Sequence, residues 1–171
     1  MNQRDEAKLL EQLEQWNEAG EYSRCIQAIE TIPEQERGYL LTVKLSRAYS
    51  NLAVLGDHRA HGTDGEVDGD LIRHAIELLE SVRAQGEGAP YWNARMGYSC
   101  LMAYPSAATA YEYAKRWLAL APEDQDAQKL VRDCEEYLAE EKAMEMEIDQ
   151  KEREEIIRRE TPDDEKGVVC K

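Results

Sequence analysis

Apolar residues return every three or four positions in seven successive stretches of this chain, and that helical period constrains the fold more than any other feature of the sequence. Residues 5–18 place Leu9, Leu10, Leu13 and Trp16 on one face and acids and amides on the other. Ala19-Gly20-Glu21 interrupts that helix, and Tyr22, Cys25, Ile26, Ile29 and Ile32 define a second one that Pro33 stops. A third stretch, over about 36–55, carries Leu41, Leu45, Ala48, Tyr49 and Leu52; a fourth, over about 70–84, carries Leu71, Ala75, Ile76, Leu79 and Val82. Pro90 suits the first turn of a fifth helix with Trp92, Met96 and Leu101, and Ser106 has the side chain of an N-cap for a sixth with Ala107, Ala110, Ala114, Trp117 and Leu118. The seventh starts near Glu123, with acids in its first turn to suit the helix dipole, and turns Ala127, Leu130, Val131, Cys134 and Leu138 to one side. The expected fold class is therefore all-α: three antiparallel helix pairs and a long C-terminal capping helix.

Beyond about residue 139 the sequence stays helix-forming but loses its apolar stripe. It is expected to project as a solvated helix, supported by i,i+4 pairs such as Glu147 with Lys151 and Glu154 with Arg158. The chain divides into a helical repeat domain over 1–140, a charged helical extension over 141–160 and a flexible tail over 161–171. Met144, Met146, Ile148, Ile156 and Ile157 sustain no heptad, so a monomer is expected.

A net charge of −15 narrows the partners. A nucleic-acid binder needs a cationic face to displace counterions, and an anionic surface is repelled by acidic lipid headgroups. Neither nucleic acid nor membrane is an expected partner. The charged start MNQRDEAKLLEQLEQ lacks the apolar core of an export signal, which places the protein in the cytoplasm. Cys25, Cys100, Cys134 and Cys170 stand too far apart for ligand or redox spacing. The first three fall on apolar faces, where a thiol acts as a small hydrophobe, and Cys170 reads as an incidental thiol near the chain end.

Reaction chemistry finds little purchase. The loop GDHRAHGTDGEVDGD over 56–70 offers Asp64, Glu66, Asp68 and Asp70 at alternate positions, as in the first half of a calcium loop, but Ala75 stands where the bidentate Glu belongs. His58 and His61 with Asp57 and Asp64 make a poorly preorganised metal set in a glycine-rich loop, and the loop reads as a solvated acidic turn. His74 has no evident carboxylate or Ser partner, and no phosphate-binding, dinucleotide or nucleophile-elbow motif occurs. No enzymatic activity, catalytic residue, metal or cofactor is expected.

Three helical hairpins in succession prompt comparison with repeats of about 34 residues. Trp92, Gly97, Ala110, Ala114 and Ala121-Pro122 resemble the spacing of tetratricopeptide (TPR) repeats, although the Leu-x-x-Gly-x-x-Tyr core departs from it. Leu13, Trp16, Gly20, Tyr22 and Ile26 fit a shortened first repeat, and Leu45, Tyr49, Ala75 and Ile76 a second one split by the polar loop. The segments LSRAYSNLA (45–53), IRHAIELLESV (72–82) and PYWNARMGYSCLMAY (90–104) are also similar to a bacterial group of three-repeat TPR proteins. The resemblance covers about residues 5–140. It implies a right-handed superhelix whose first helices line a concave groove for an extended peptide or partner domain.

Carried onto this chain, the family's first-helix positions put Glu14, Asn17, Lys44, Arg47, Asn51, Arg95 and Tyr98 at the groove. Lys44, Arg47 and Arg95 are cations in an acidic protein; they either hold a partner's carboxylate or pair with the protein's own acids. Of the aromatic residues, Tyr91 and Tyr98 are assigned to the groove and most of the others to the core. The function these residues imply is a non-enzymatic adaptor or scaffold that binds a protein segment carrying an acid and apolar side chains. The alternative is an acidic inhibitor or immunity-type protein that masks a basic enzyme such as a nuclease, which requires an acidic groove.

Overall fold

The computed structural model describes residues 3–60 and 65–160, and the described residues form helices and no strands. The helices are α1 (Gln3–Glu18), α2 (Tyr22–Glu30), α3 (Tyr39–Leu55), α4 (Gly69–Ser81), α5 (Arg83–Gly86), α6 (Pro90–Ala103), α7 (Ala108–Leu120) and α8 (Gln125–Glu160). Single 3₁₀ turns at Glu34–Glu36 and Asp57–Arg59 sit on either side of α3.

Each apolar stripe lands on a buried face. Leu13, Cys25, Ile26, Ile29, Leu41, Leu45 and Ala48 close one cluster among α1, α2 and α3. A second, larger cluster joins Val43 and Leu79 to Trp92, Met96, Cys100, Ala110, Ala114, Trp117, Leu130 and Cys134. Consecutive helices pair α1 with α2, α3 with α4, and α6 with α7. Ser46 Oγ donates to the Ala75 carbonyl while Asp68 N–H donates to Ala53 at the far end of the same two helices, so α3 and α4 run antiparallel. The first helix of each pair touches the next first helix, giving a layer α1, α3, α6, α8 backed by α2, α4 and α7.

Turns and caps explain the boundaries. Gly20 takes φ +77°, and its Cα hydrogen lies where a Cβ would come within 3.2 Å of the His58 backbone; the Gly20 carbonyl accepts from His58 N–H at 2.7 Å. Asp57 Oδ1 in turn accepts from Ser23 N–H at 2.9 Å and supplies the N-terminal cap that α2 lacks from its own sequence. The start of the polar loop is therefore fastened to the first hairpin, with His58 and Arg59 both held at positive φ. At its other end Asp68 caps α4 by accepting from Asp70 and Leu71 N–H, which gives this acid a structural task. His61, Asp64, Cys170 and the tail over 161–171 lie outside the described residues.

Five expectations need adjusting. In the stretch over 36–55 the 3₁₀ turn ends at Glu36, Arg37 and Gly38 are extended, and the α-helix starts only at Tyr39; the stretch over 70–84 ends at Ser81, where Val82 adopts a non-helical ψ of 17° before α5 begins. The cap of α7 is shared: Glu141 on α8 accepts from Ser106 Oγ at 2.9 Å and Ala107 N–H at 3.0 Å, while Ser106 Oγ accepts from Ala108 N–H at 3.3 Å. The i,i+4 ion pairs that form on α8 are Lys129 with Asp133 and Arg159 with Glu155, in place of the Glu147–Lys151 and Glu154–Arg158 pairs. Rotamers, and not spacing alone, decide which neighbours on a solvated helix meet. His74 does have a carboxylate nearby: Glu77 Oε2 lies 3.5 Å from Nδ1, and the ring packs edge-on against Tyr49.

Candidate functional site

Three helices of the first layer each present one face to the same place. On α1 these are Glu14 and Asn17, on α3 Lys44, Arg47 and Asn51, and on α6 Tyr91, Arg95 and Tyr98, all at steps of three or four residues. The neighbouring positions Leu13, Leu45, Ala48, Ala94 and Met96 are buried, and that burial fixes the helix rotations and leaves the polar faces directed the other way.

Glu14 answers part of the question about the cations. Its carboxylate accepts from Arg47 Nη1 at 2.7 Å and also from Lys44 Nζ. Partial burial alone would raise the Glu14 carboxyl, but the hydrogen bonds and charges of Lys44 and Arg47 outweigh it and hold the group below its ordinary value. Beside this pair Asn51 Nδ2 donates to Asn17 Oδ1 at 2.8 Å. Two of the three cations are thus matched to a single acid across the α1–α3 interface.

Arg95 is different. It has no carboxylate within ion-pair distance among the described residues, and its Nε is cut off from solvent without a hydrogen-bond partner. The guanidinium lies between two rings instead, 5.6 Å from the Tyr91 centroid and 5.3 Å from that of Tyr98. Burial, and the like charge of Arg47, push its pKa below the ordinary arginine value. Tyr91 is shared: Lys44 Nζ sits 5.5 Å from its ring, and its hydroxyl interacts with Arg47 as well. Tyr98 is braced from behind by an edge-on contact with Trp117 at 6.0 Å.

Arg95 and Tyr98 also form one wall of a cavity of ≈ 250 Å³ whose remaining lining is mainly apolar, from Val54, Leu55, Ile72 and Met102, with Ser50, Asn51 and Ser99 at its edge. The volume suits one large apolar side chain. In comparison with known proteins, no family model, curated relative or solved structure matches this chain.

The structure thus brings Lys44, Arg47, Asn51, Tyr91, Arg95 and Tyr98 together with Glu14 and Asn17, two α1 residues also expected at the groove, which bond Lys44, Arg47 and Asn51. Sequence reasoning missed the cavity beside Arg95. Val54, Leu55 and Met102 lie near helix ends and off the stripes read from the sequence, and only the packing of α3, α4 and α6 shows that they enclose a space.

In chemical terms the site offers donors, cationic groups and an apolar hollow, and its carboxylate, Glu14, is engaged with two cations. Such a set of groups can accept an anion next to an apolar group. The described residues contain no group of three or more His, Cys, Asp or Glu side chains spaced to hold a metal ion. The buried thiols Cys25 and Cys100 are pushed up to about 11 and about 12 by burial, far from the range of a nucleophile at neutral pH.

Proposed function

We propose that this protein is a TPR-like interaction module that holds a segment of a partner protein against α1, α3 and α6. The alternating first and second helices, with α1, α3, α6 and α8 in one layer, support a superhelical repeat of this type, as do Gly97 and the small residues Ala110 and Ala114 at the α6–α7 contact. The observation that carries the functional reading is Arg95: a partly buried guanidinium with no acid paired to it among the described residues, lining an apolar cavity in a chain of net charge −15. In such a chain, counter-charges for a structural arginine are plentiful. A cation left without one is poised for an anion that arrives from outside.

The partner segment then carries an acidic group for Arg95, Arg47 and Lys44, and an apolar side chain for the cavity. Tyr91 and Tyr98 flank the guanidinium and exclude water from it, in the manner of binding hot spots. The inhibitor reading, in which an acidic groove masks a basic enzyme, draws no support from this face, where Lys44 and Arg47 hold Glu14 and Arg95 lies between Tyr91 and Tyr98.

Selection of displayed peptides tests the reading directly. Wild-type protein is expected to enrich sequences with an acid one or two residues from a Leu, Ile, Met or aromatic residue, and an Arg95→Met variant is expected to lose that enrichment. Enrichment of basic peptides, or the same acidic consensus with Arg95→Met, would overturn it.

A further inference from the structure

The charge arithmetic of the site goes further than its sign. Lys44 and Arg47 share the one carboxylate of Glu14, and Arg95, which feels the charges of both Arg47 and Glu14, forms no ion pair among the described residues. Tyr91 links the three: it lies against Lys44 and Arg95 through its ring and interacts with Arg47. Three cations and one carboxylate leave two positive charges uncompensated around one tyrosine. An incoming carboxylate would cancel one of them and leave the other in a partly dehydrated setting. A dianion cancels both.

The donors also have the form a phosphoryl group needs. A guanidinium is a planar fork that can address two oxygens at once: that of Arg95 is engaged by no acid among the described residues, Arg47 has Nη1 on Glu14, Lys44 adds a point charge also in contact with Glu14, and Tyr91 has a hydroxyl. A phosphomonoester has three terminal oxygens and carries about −1.5 to −2 at neutral pH, since its second pKa is about 6. The ≈ 250 Å³ apolar hollow beside Arg95 then receives a neighbouring side chain, which ties the anion to a chain segment.

We propose that the anion this face is built for is a phosphomonoester on a partner segment, a phosphorylated residue followed or preceded by a large apolar one, held by Arg95, Arg47 and Lys44 around Tyr91. This inference rests on the reading of the face as a docking groove and specifies its ligand.

Titration calorimetry with three matched seven-residue peptides, alike except for phosphoserine, Asp or Ser at the centre and each with an adjacent Leu, separates the two levels. Inorganic phosphate is a fourth probe. At pH 7.5 the phosphoserine peptide is expected to bind at least about tenfold more tightly than the Asp peptide, one charge-pair's worth of free energy. That advantage is expected to shrink at pH 5.5, where the phosphate is mostly a monoanion while the Asp side chain and Glu14 stay ionised. Arg95→Met is expected to abolish the difference while circular dichroism shows an unchanged fold.

Equal binding of the phosphoserine and Asp peptides would overturn the dianion while leaving the groove standing. Failure of all three peptides would overturn both. Inorganic phosphate binding as tightly as the phosphopeptide would show that no chain segment is recognised, and would overturn the proposal in favour of a free phosphorylated small molecule.

Discussion

Arg95 works against the stability of the fold that carries it. A guanidinium with a desolvated and unpartnered Nε loses hydration without a compensating ion pair, and two cation–π contacts worth about 0.5–1 kcal/mol each only partly offset that loss. Arg95→Met, which fills similar space beside an apolar cavity, is therefore expected to leave the melting temperature unchanged or raise it by a few degrees while removing anion binding. A large fall in melting temperature would make Arg95 a structural residue. Glu14 behaves oppositely. Its carboxyl is held below its ordinary value of 4.5 in the folded protein, so its contribution to stability is complete above the unfolded-state pKa and is lost as pH falls through the lower folded value. Glu14→Gln is expected to flatten the acid limb of the urea midpoint between about pH 5 and 3. An acid limb identical to wild type would show that Lys44 and Arg47 do not hold this group in solution.

At the scale of helices, position and burial decide what a change does. An added Cβ on Gly86 would meet the Trp92 ring at 2.3 Å, and that ring is fully buried and donates from Nε1 to the Leu79 carbonyl at 2.9 Å. Gly86→Ala is thus expected to destabilise by about 1–3 kcal/mol in denaturant titration, even though Ala favours helix by about 1 kcal/mol. The long helix α8 has two regimes. Ala127, Leu130 and Cys134 are buried, and Glu141 caps α7; beyond it Met144, Met146, Ile148, Ile156 and Ile157 are each more than half exposed. Amide exchange is expected to be slow over 127–138 and near the rate of an isolated helix over 146–158. Uniform protection along α8 would mean that something covers its outer half.

The helices were legible because a period of 3.6 residues leaves a mark in any sequence whose elements bury one face. The short helix Arg83–Gly86 and the 3₁₀ turns were not, since a single turn is too brief to show a period. Nor was the fastening of the polar loop, because Asp57 reaches back to Ser23 and His58 to Gly20 across most of two helices. The cations of the candidate site were visible as residue types at helical spacing. Which of them already had a partner was not, since Glu14 lies 30 residues from Lys44 and 33 from Arg47, and nothing local couples them.

For the whole molecule, the arrangement separates charge from the surface average. A chain of net charge −15 keeps three cations and three cation–aromatic contacts on one face, and one of those cations, Arg95, lines a cavity between α3, α4 and α6. On the proposed reading, the anionic remainder repels an acidic partner elsewhere and confines it to this face, so association is expected to be sensitive to salt through both terms. The most direct test follows backbone amide shifts in a ¹⁵N-labelled sample as the Leu-containing phosphoserine peptide is added. The account predicts shifts that saturate together at residues 44–55 and 91–102, with smaller ones near Glu14 and Asn17 and none over 140–158. Shifts concentrated on the outer half of α8, or on α2 and α7 at the back of the layer, would contradict it.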